Sequence, residues 1–150
     1  MREVGGAFRH RRVVTAVVGV AAFALACTAR AQPAGDCAAG FPGGSRAASA
    51  NHIVAWRADP QKIPVGKHFA LDLLICAKAG SAPVPPLVAV DARMPSHGHG
   101  MNYKPTLKAV GENRYRAEGL MFHMPGQWTL LFDLRAGDKA EQAAQAVTVR

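Results

Sequence analysis

Two short segments of the sequence combine histidine with methionine, and they have the clearest potential for chemistry. Residues 94–101 read Met-Pro-Ser-His-Gly-His-Gly-Met and residues 121–124 read Met-Phe-His-Met, so together they hold four of the five methionines. Thioether sulfur is a soft ligand and imidazole a borderline one, a pairing that suits Cu(I), or Cu(II) with a long axial sulfur. Neither segment contains Asp or Glu, the ligands that calcium and magnesium prefer. The predicted metal is therefore copper.

The spacing within the segments indicates which side chains could reach one metal ion. In extended backbone, alternate side chains point to the same side, so the rings of His97 and His99 would lie together. Met101 would extend this row, and the glycines at 98 and 100 would let the chain bend toward the second segment. The predicted copper ligands are His97, His99 and His123, with Met101 or Met124 as a soft ligand, and Met94 of the first segment completes the set of candidates.

The same residues also allow an interpretation without metal. A methionine beside an aromatic residue often fills a core, and methionine-rich surfaces are adaptable apolar contacts. In this alternative the chain is a metal-free interaction module that binds another cell-envelope protein through these loops. An enzyme is not expected, because the sequence has no Gly-x-Ser-x-Gly nucleophile motif and no second copper site. Asp91 and Arg93 could brace the first segment from behind.

Short strands are the elements that must position these segments. Apolar residues alternate along residues 69–75 and 128–134, which is the period of half-buried strands. Similar runs separated by Gly, Pro and Asn turns predict seven strands in all: 52–56, 67–76, 87–93, 106–110, 114–120, 128–134 and a last one ending near 149. Only residues 139–146 are rich enough in alanine for a helix to compete. The prediction is an all-β fold, a single immunoglobulin-like antiparallel β-sandwich.

The N-terminus has the layout of a signal peptide. A basic cluster at residues 9–12 precedes an apolar run at 13–26, and Ala29-Arg30-Ala31 offers small residues before cleavage at Gln32. The apolar run is shorter than the roughly 20 residues of a membrane-spanning helix, which disfavours an uncleaved anchor. A lipoprotein attached through Cys27 is also disfavoured, because the bulky Leu25 stands one place too late. We expect a periplasmic protein with no stable membrane span after removal of residues 1–31.

Charge and cysteine content agree with export. Removal of residues 1–31 lowers the net charge from +8 to +4 and leaves scattered basic residues, which argues against a nucleic-acid partner. Cys37 and Cys76 then remain as an even pair in an oxidising compartment, so a disulfide is expected. This bond would tie a flexible leader, residues 32–50, to a folded domain, residues 51–150.

The segments Asp91–Pro105 and Gly119–Trp128 resemble the YtkA-like domain family, and the similarity extends over roughly residues 51–149. The resemblance implies a small exported or membrane-anchored domain with an immunoglobulin-like sandwich, and it places the family's His and Met positions at the six predicted ligands. The chain is also similar in kind to FixH-type domains, which assist copper-containing respiratory oxidases. Those proteins keep their N-terminal helix as an anchor, whereas the segment here has the features of a cleaved one. The expected function is a copper carrier or buffer that supplies a copper-receiving envelope protein.

Overall fold

A computed structural model describes residues 41–81 and 83–150. The predicted signal peptide and the first part of the leader lie outside these residues. Nine strands form the regular structure: β1 (Ser45–Ala48), β2 (His52–Asp59), β3 (His68–Ala77), β4 (Leu87–Met94), β5 (His99–Gly100), β6 (Thr106–Gly111), β7 (Arg114–Met121), β8 (Gly126–Ala136) and β9 (Lys139–Val149). The part of the chain that the structure describes contains no helix long and apolar enough to cross a membrane.

All nine strands belong to one antiparallel sheet, in the order β5-β4-β8-β9-β1-β2-β3-β7-β6. The sheet is curled, because inward-facing side chains from both of its halves pack into one core and β4 approaches β6 from the opposite end of the strand order. The all-β, antiparallel prediction is confirmed. The two layers expected of a sandwich are provided by a single continuous sheet, since β1 joins β9 to β2.

Alternation along the long strands builds the core as the sequence pattern predicted. Leu71, Leu73 and Ile75 on β3 and Leu130 and Leu134 on β8 are almost fully buried. Side chains of a strand alternate between its two faces, so one face of each strand lies against the core and the other faces solvent. Burial of each such side chain stabilises the fold by roughly 1.5–3 kcal/mol.

The structure differs from the sequence prediction at two short strands. Residues 45–48, which were assigned to a flexible leader, form β1, and Phe41 just before it is buried. The folded part therefore begins before residue 51. The small residues of this stretch show no apolar alternation, and β1 exists because all four of its residues pair with β2. The second addition is the two-residue strand β5.

The alanine-rich stretch near the C-terminus is a strand. Residues 139–149 form β9 and pair with β8 along their whole length. Cross-strand pairing overrides the weak helical preference of alanine here. Cys76 lies half-buried on β3 and is disulfide-bonded. Cys37 lies outside the described residues, so its pairing with Cys76 stays a prediction.

Candidate metal centre

The first His/Met segment is a tight hairpin between β4 and β5. A 3-10 turn, Pro95–His97, links the strands, and Met94 then pairs with His99. Gly98 closes the turn with a positive φ of 68°, a conformation that suits glycine. Its N–H donates to the carbonyl oxygens of Met94 at 3.0 Å and Pro95 at 3.3 Å. This backbone geometry brings the rings of His97 and His99 side by side, with centroids 5.7 Å apart.

The second segment connects β7 to β8. Phe122 is fully buried, and its carbonyl accepts a hydrogen bond from the N–H of Gly66 at 2.8 Å, which fixes the connection against the core. Gly126 ends the segment with a φ of 135°, and a Cβ at this position would collide with the terminal methyl group of Met94. The positive φ favours glycine here, and an added side chain would also displace the methyl group of Met94. His123 is exposed on this connection and Met124 is half-buried.

The two segments converge at one end of the sheet. The ring centroids of His99 and His123 are 4.9 Å apart, so the three histidines form a row that runs from His97 through His99 to His123. The convergence expected of a shared site is thus present for the histidines. No acidic side chain belongs to either segment.

Trp128 lies beneath the pair of histidines. Its ring is 5.7 Å from that of His99 and 5.3 Å from that of His123, and both contacts are T-shaped. The indole is fully buried, stacks on Phe122 at 4.8 Å and donates its N–H to the carbonyl of Met124 at 3.1 Å. These contacts hold the indole in one orientation and join it to the backbone of a predicted ligand.

Trp128 lies on the predicted strand 128–134 and was not among the predicted site residues. The signal was available, because Trp128 begins the inward-facing row of β8 directly after the second segment. What spacing alone does not give is the strand order, which places β5 next to β4 and β4 next to the start of β8. A large aromatic side chain below two imidazoles excludes water from one side of any ion bound between them.

The methionines divide into two groups. Met94 shares the inward face of β4 with Ala92 and is only 1 % exposed, so it is a core residue. Alternation along β4 points this side chain away from the surface, and its role as a ligand stays a prediction. Met101 and Met124 are half-buried and pack against the edge of the core. Met121, which is not among the predicted ligands, is half-buried as well.

The donor set available at the row of histidines is nitrogen and sulfur. The Nδ1 atom of His99 lies 3.3 Å from the carbonyl of Gly100. When Nδ1 carries the proton it donates to this carbonyl, which leaves the Nε2 lone pair for a ligand. Within residues 41–81 and 83–150, no group of three or more His, Cys, Asp or Glu side chains is arranged to hold a metal ion. The other soft donors in the two segments are the methionine sulfurs.

A concave depression of about 510 Å³ adjoins His99 and is lined in part by Asp91 and Arg93. The carboxylate of Asp91 accepts a hydrogen bond from the N–H of Ala92 at 2.7 Å. Asp91 therefore holds the backbone of β4, from which the first segment continues. Both charged residues are exposed beside the site.

The other two histidines of the described residues lie elsewhere. His68, at the start of β3, is exposed and meets Tyr103 edge-on at 5.2 Å. His52 is only 2 % exposed and its Nδ1 lies 3.2 Å from a carboxylate oxygen of Glu141. Neither residue is among the predicted ligands, and His68 pairs with Met121 across β3 and β7.

Comparisons with protein-family models, curated proteins and solved structures found no match to this chain. The resemblance to the YtkA-like domain family accordingly remains a sequence-based prediction.

Proposed function

We propose that this protein binds copper at the row of histidines and acts as a copper carrier or buffer in the cell envelope. His99 and His123 supply the imidazole nitrogens, Met124 or Met101 supplies a thioether, and His97 lies at the rim. The observation that carries the proposal is the 4.9 Å approach of the His99 and His123 rings, which come from separate segments of the chain.

The donor chemistry favours Cu(I). Two imidazoles and a thioether suit a soft monovalent ion, and Cu(I) accepts low coordination numbers without water. The absence of carboxylates from both segments disfavours harder cations. Bound copper would supply an exchangeable cargo, and exposure of His97 and His123 leaves room for ligands of a second protein to take it.

The proposed cellular context follows from the N-terminal sequence. The protein is exported to the periplasm, where cleavage after Ala31 removes residues 1–31 and Cys37 pairs with Cys76. Its partner is a copper-receiving envelope protein, with a respiratory oxidase as the final destination. The all-β fold is compatible with membership of the YtkA-like family, which is part of this proposal.

A second candidate function is a metal-free interaction module. The specific observation in its favour is that Met101 and Met124 pack against the core and that Tyr103, two residues after Met101, is 43 % exposed. An apolar rim of this kind suits contact with another envelope protein. Experiment can distinguish the two functions, because the interaction module does not depend on a metal ion.

The deciding experiment is an anaerobic titration of the purified protein with Cu(I) against a competing chromophoric chelator. We expect one equivalent to bind, and a His99→Ala/His123→Ala variant to lose at least about 100-fold in affinity, since two of three strong ligands are gone. His68→Ala is the matched control, because it removes an exposed imidazole outside the row and should leave the affinity unchanged. Equal binding by the double variant and the natural sequence would contradict the copper function and favour the interaction module.

A further inference from the structure

The sheet is split between β1 and β9, at the same end of the β8–β9 hairpin as the histidines. These strands pair at a single position, Ala48 with Ala144. The neighbouring ladders continue well beyond it, since β9 pairs with β8 as far as Val149 and β1 pairs with β2 as far as Ser45. The two strands therefore diverge from Ala48 and Ala144 and leave an opening in an otherwise continuous sheet.

The opening is a cleft of about 570 Å³ whose lining combines apolar and polar residues. Ser45 lies on the β1 side, Val147 and Val149 lie on the β9 side, and Trp56 and Ile63 add further apolar surface. Ile63 and Val147 are only half-buried, so this apolar surface is accessible. Its volume is suited to a few residues of extended chain.

One wall of the cleft is a strand edge. In the described residues, β9 pairs with β8 alone after Ala144. The carbonyl of Ala146 on this stretch accepts a hydrogen bond from the side-chain amide of Gln145 at 3.0 Å. An edge strand offers its backbone N–H and C=O groups to an added strand, and the amide of an incoming strand could replace the Gln145 side chain.

A buried donor without a partner also lies at the cleft. Trp56 is 6 % exposed, and its indole N–H has no hydrogen-bond partner within the described part of the chain. Buried N–H groups are nearly always hydrogen-bonded, so an orphan donor in the lining of a cleft is an independent indication of a missing acceptor. A carbonyl or carboxylate oxygen would satisfy it.

The charge of the lining gives the chemistry of the ligand. Arg57, Lys62 and Arg150 line the cleft, and none of its lining residues is acidic. Arg57 is partly neutralised by Asp72, whose carboxylate lies 3.3 Å from its guanidinium group. Lys62 and Arg150 therefore provide most of the positive potential, which selects an acidic ligand.

We propose that this cleft binds an extended, acidic peptide segment of another protein, which adds as a strand to the free edge of β9. Backbone hydrogen bonds to β9 give the affinity, apolar side chains fill the lining, and carboxylates meet Lys62 and Arg150. This interaction site uses none of the proposed copper ligands and does not rest on copper binding, although Val147 and Val149 on its β9 side pair with Trp128 and Gly126 of β8.

The test uses the ¹⁵N-labelled full chain and a synthetic peptide, acetyl-Val-Glu-Val-Glu-Val-amide. We expect saturable chemical-shift changes at the amides of residues 145–149 and a downfield shift of the Trp56 indole N–H as it gains an acceptor. A Trp56→Phe variant keeps an aromatic ring, assigns this signal by its disappearance, and should bind the peptide several-fold more weakly. Shift changes confined to other parts of the protein, or none at millimolar peptide, would overturn the proposal.

Two further comparisons test the charge and the strand addition. Lys62→Glu/Arg150→Glu should weaken binding about tenfold or more through lost electrostatic complementarity. The matched control Arg135→Glu/Lys139→Glu makes the same change in charge at the opposite end of the β8–β9 hairpin and should bind normally. The proposal would be contradicted by an equal loss of binding in both variants or by equal binding of acetyl-Val-Lys-Val-Lys-Val-amide. It would also be contradicted if acetyl-Val-Glu-Pro-Glu-Val-amide bound as well as the first peptide, because proline cannot extend a ladder.

Discussion

Two histidine-bearing regions lie at opposite ends of the β8–β9 hairpin and are built in different ways. At one end, His99 and His123 lie against Trp128 without an acidic neighbour in their segments. At the other end, buried His52 lies against Glu141. The β8 residues nearest the two ends, 128 and 134, are separated by about 20 Å along the strand.

The carboxylate of Glu141 accounts for the difference between the two histidine regions. Glu141 accepts hydrogen bonds from the hydroxyl of Ser49 at 2.7 Å and from the backbone and side-chain amides of Asn51 at 3.1 and 2.8 Å, in addition to its contact with His52. It therefore fastens the β1–β2 turn to β9 and occupies one nitrogen of the imidazole. A histidine held by a carboxylate in a hydrogen-bonded turn is structural, whereas imidazoles held only by backbone geometry and aromatic contacts keep nitrogens available for a ligand.

The largest effect on stability is expected at Gly126, where the backbone turns from the second segment into β8. Gly126→Ala forces a side chain into a positive-φ position and against Met94, so we expect a loss of about 3 kcal/mol in the free energy of unfolding. Copper affinity should fall with it, because the second segment has to move. Denaturant unfolding and the Cu(I) competition titration measure the two quantities.

Gly137→Ala is the matched control for this substitution. Gly137 also has a positive φ, 57°, but a Cβ there would meet no other atom within 4 Å. We expect about 1 kcal/mol from the backbone conformation alone. Equal losses at both glycines would show that contact with Met94 is unimportant and would remove the argument that Gly126 sets the approach of the two segments.

A smaller effect should distinguish the methionines at the same end. Met124→Leu removes sulfur with little change in volume and should weaken Cu(I) binding about tenfold while leaving stability nearly unchanged. Met94→Leu makes the same change in the core and should leave the affinity within about twofold. If Met94→Leu has the larger effect on copper, the assignment of Met94 to the core alone is wrong. If Met124→Leu has no effect, Met101→Leu is the next substitution to measure.

How far the sequence predicts this molecule depends on the range of the interactions involved. Alternation along residues 69–75 and 128–134 is a local pattern, and the strands inferred from it are confirmed. β1 has no local pattern, because its existence depends on pairing with β2 across a turn. The sequence therefore predicted the class of fold well and placed the start of the folded part too late.

The candidate site shows the same division. Spacing placed His97 and His99 on one hairpin, and the structure brings their rings together. Spacing could not show that Met94 points into the core, because its direction depends on the register of β4 against β8. Trp128 was missed for a related reason, since the strand order β5-β4-β8, which spacing does not give, brings His99 close to it.

The smallest effect is expected at the His52 and Glu141 end of the hairpin, and it is measured as the dependence of stability on pH. The hydrogen bonds from Asn51 and Ser49 lower the pKa of Glu141 from its ordinary value near 4.5 to about 2. Because the pKa is depressed in the folded state, its contribution to stability is complete above about pH 4.5 and is lost as the pH falls toward 2. Glu141→Gln should therefore lower Tm by on the order of 5 °C at pH 7, and this difference should shrink between pH 4.5 and 2.

Glu112→Gln provides the control, because it removes a carboxylate from the exposed β6–β7 turn and should give a small difference in Tm at every pH. Copper affinity should be unchanged in Glu141→Gln, since Glu141 belongs to the end of the hairpin without the metal ligands. A Tm difference that persisted at pH 2 would mean that Glu141 stabilises the turn through its shape and not through its charge. A loss of copper affinity would mean that the two ends are coupled, and the contrast between a structural and a ligand-binding histidine region would no longer hold.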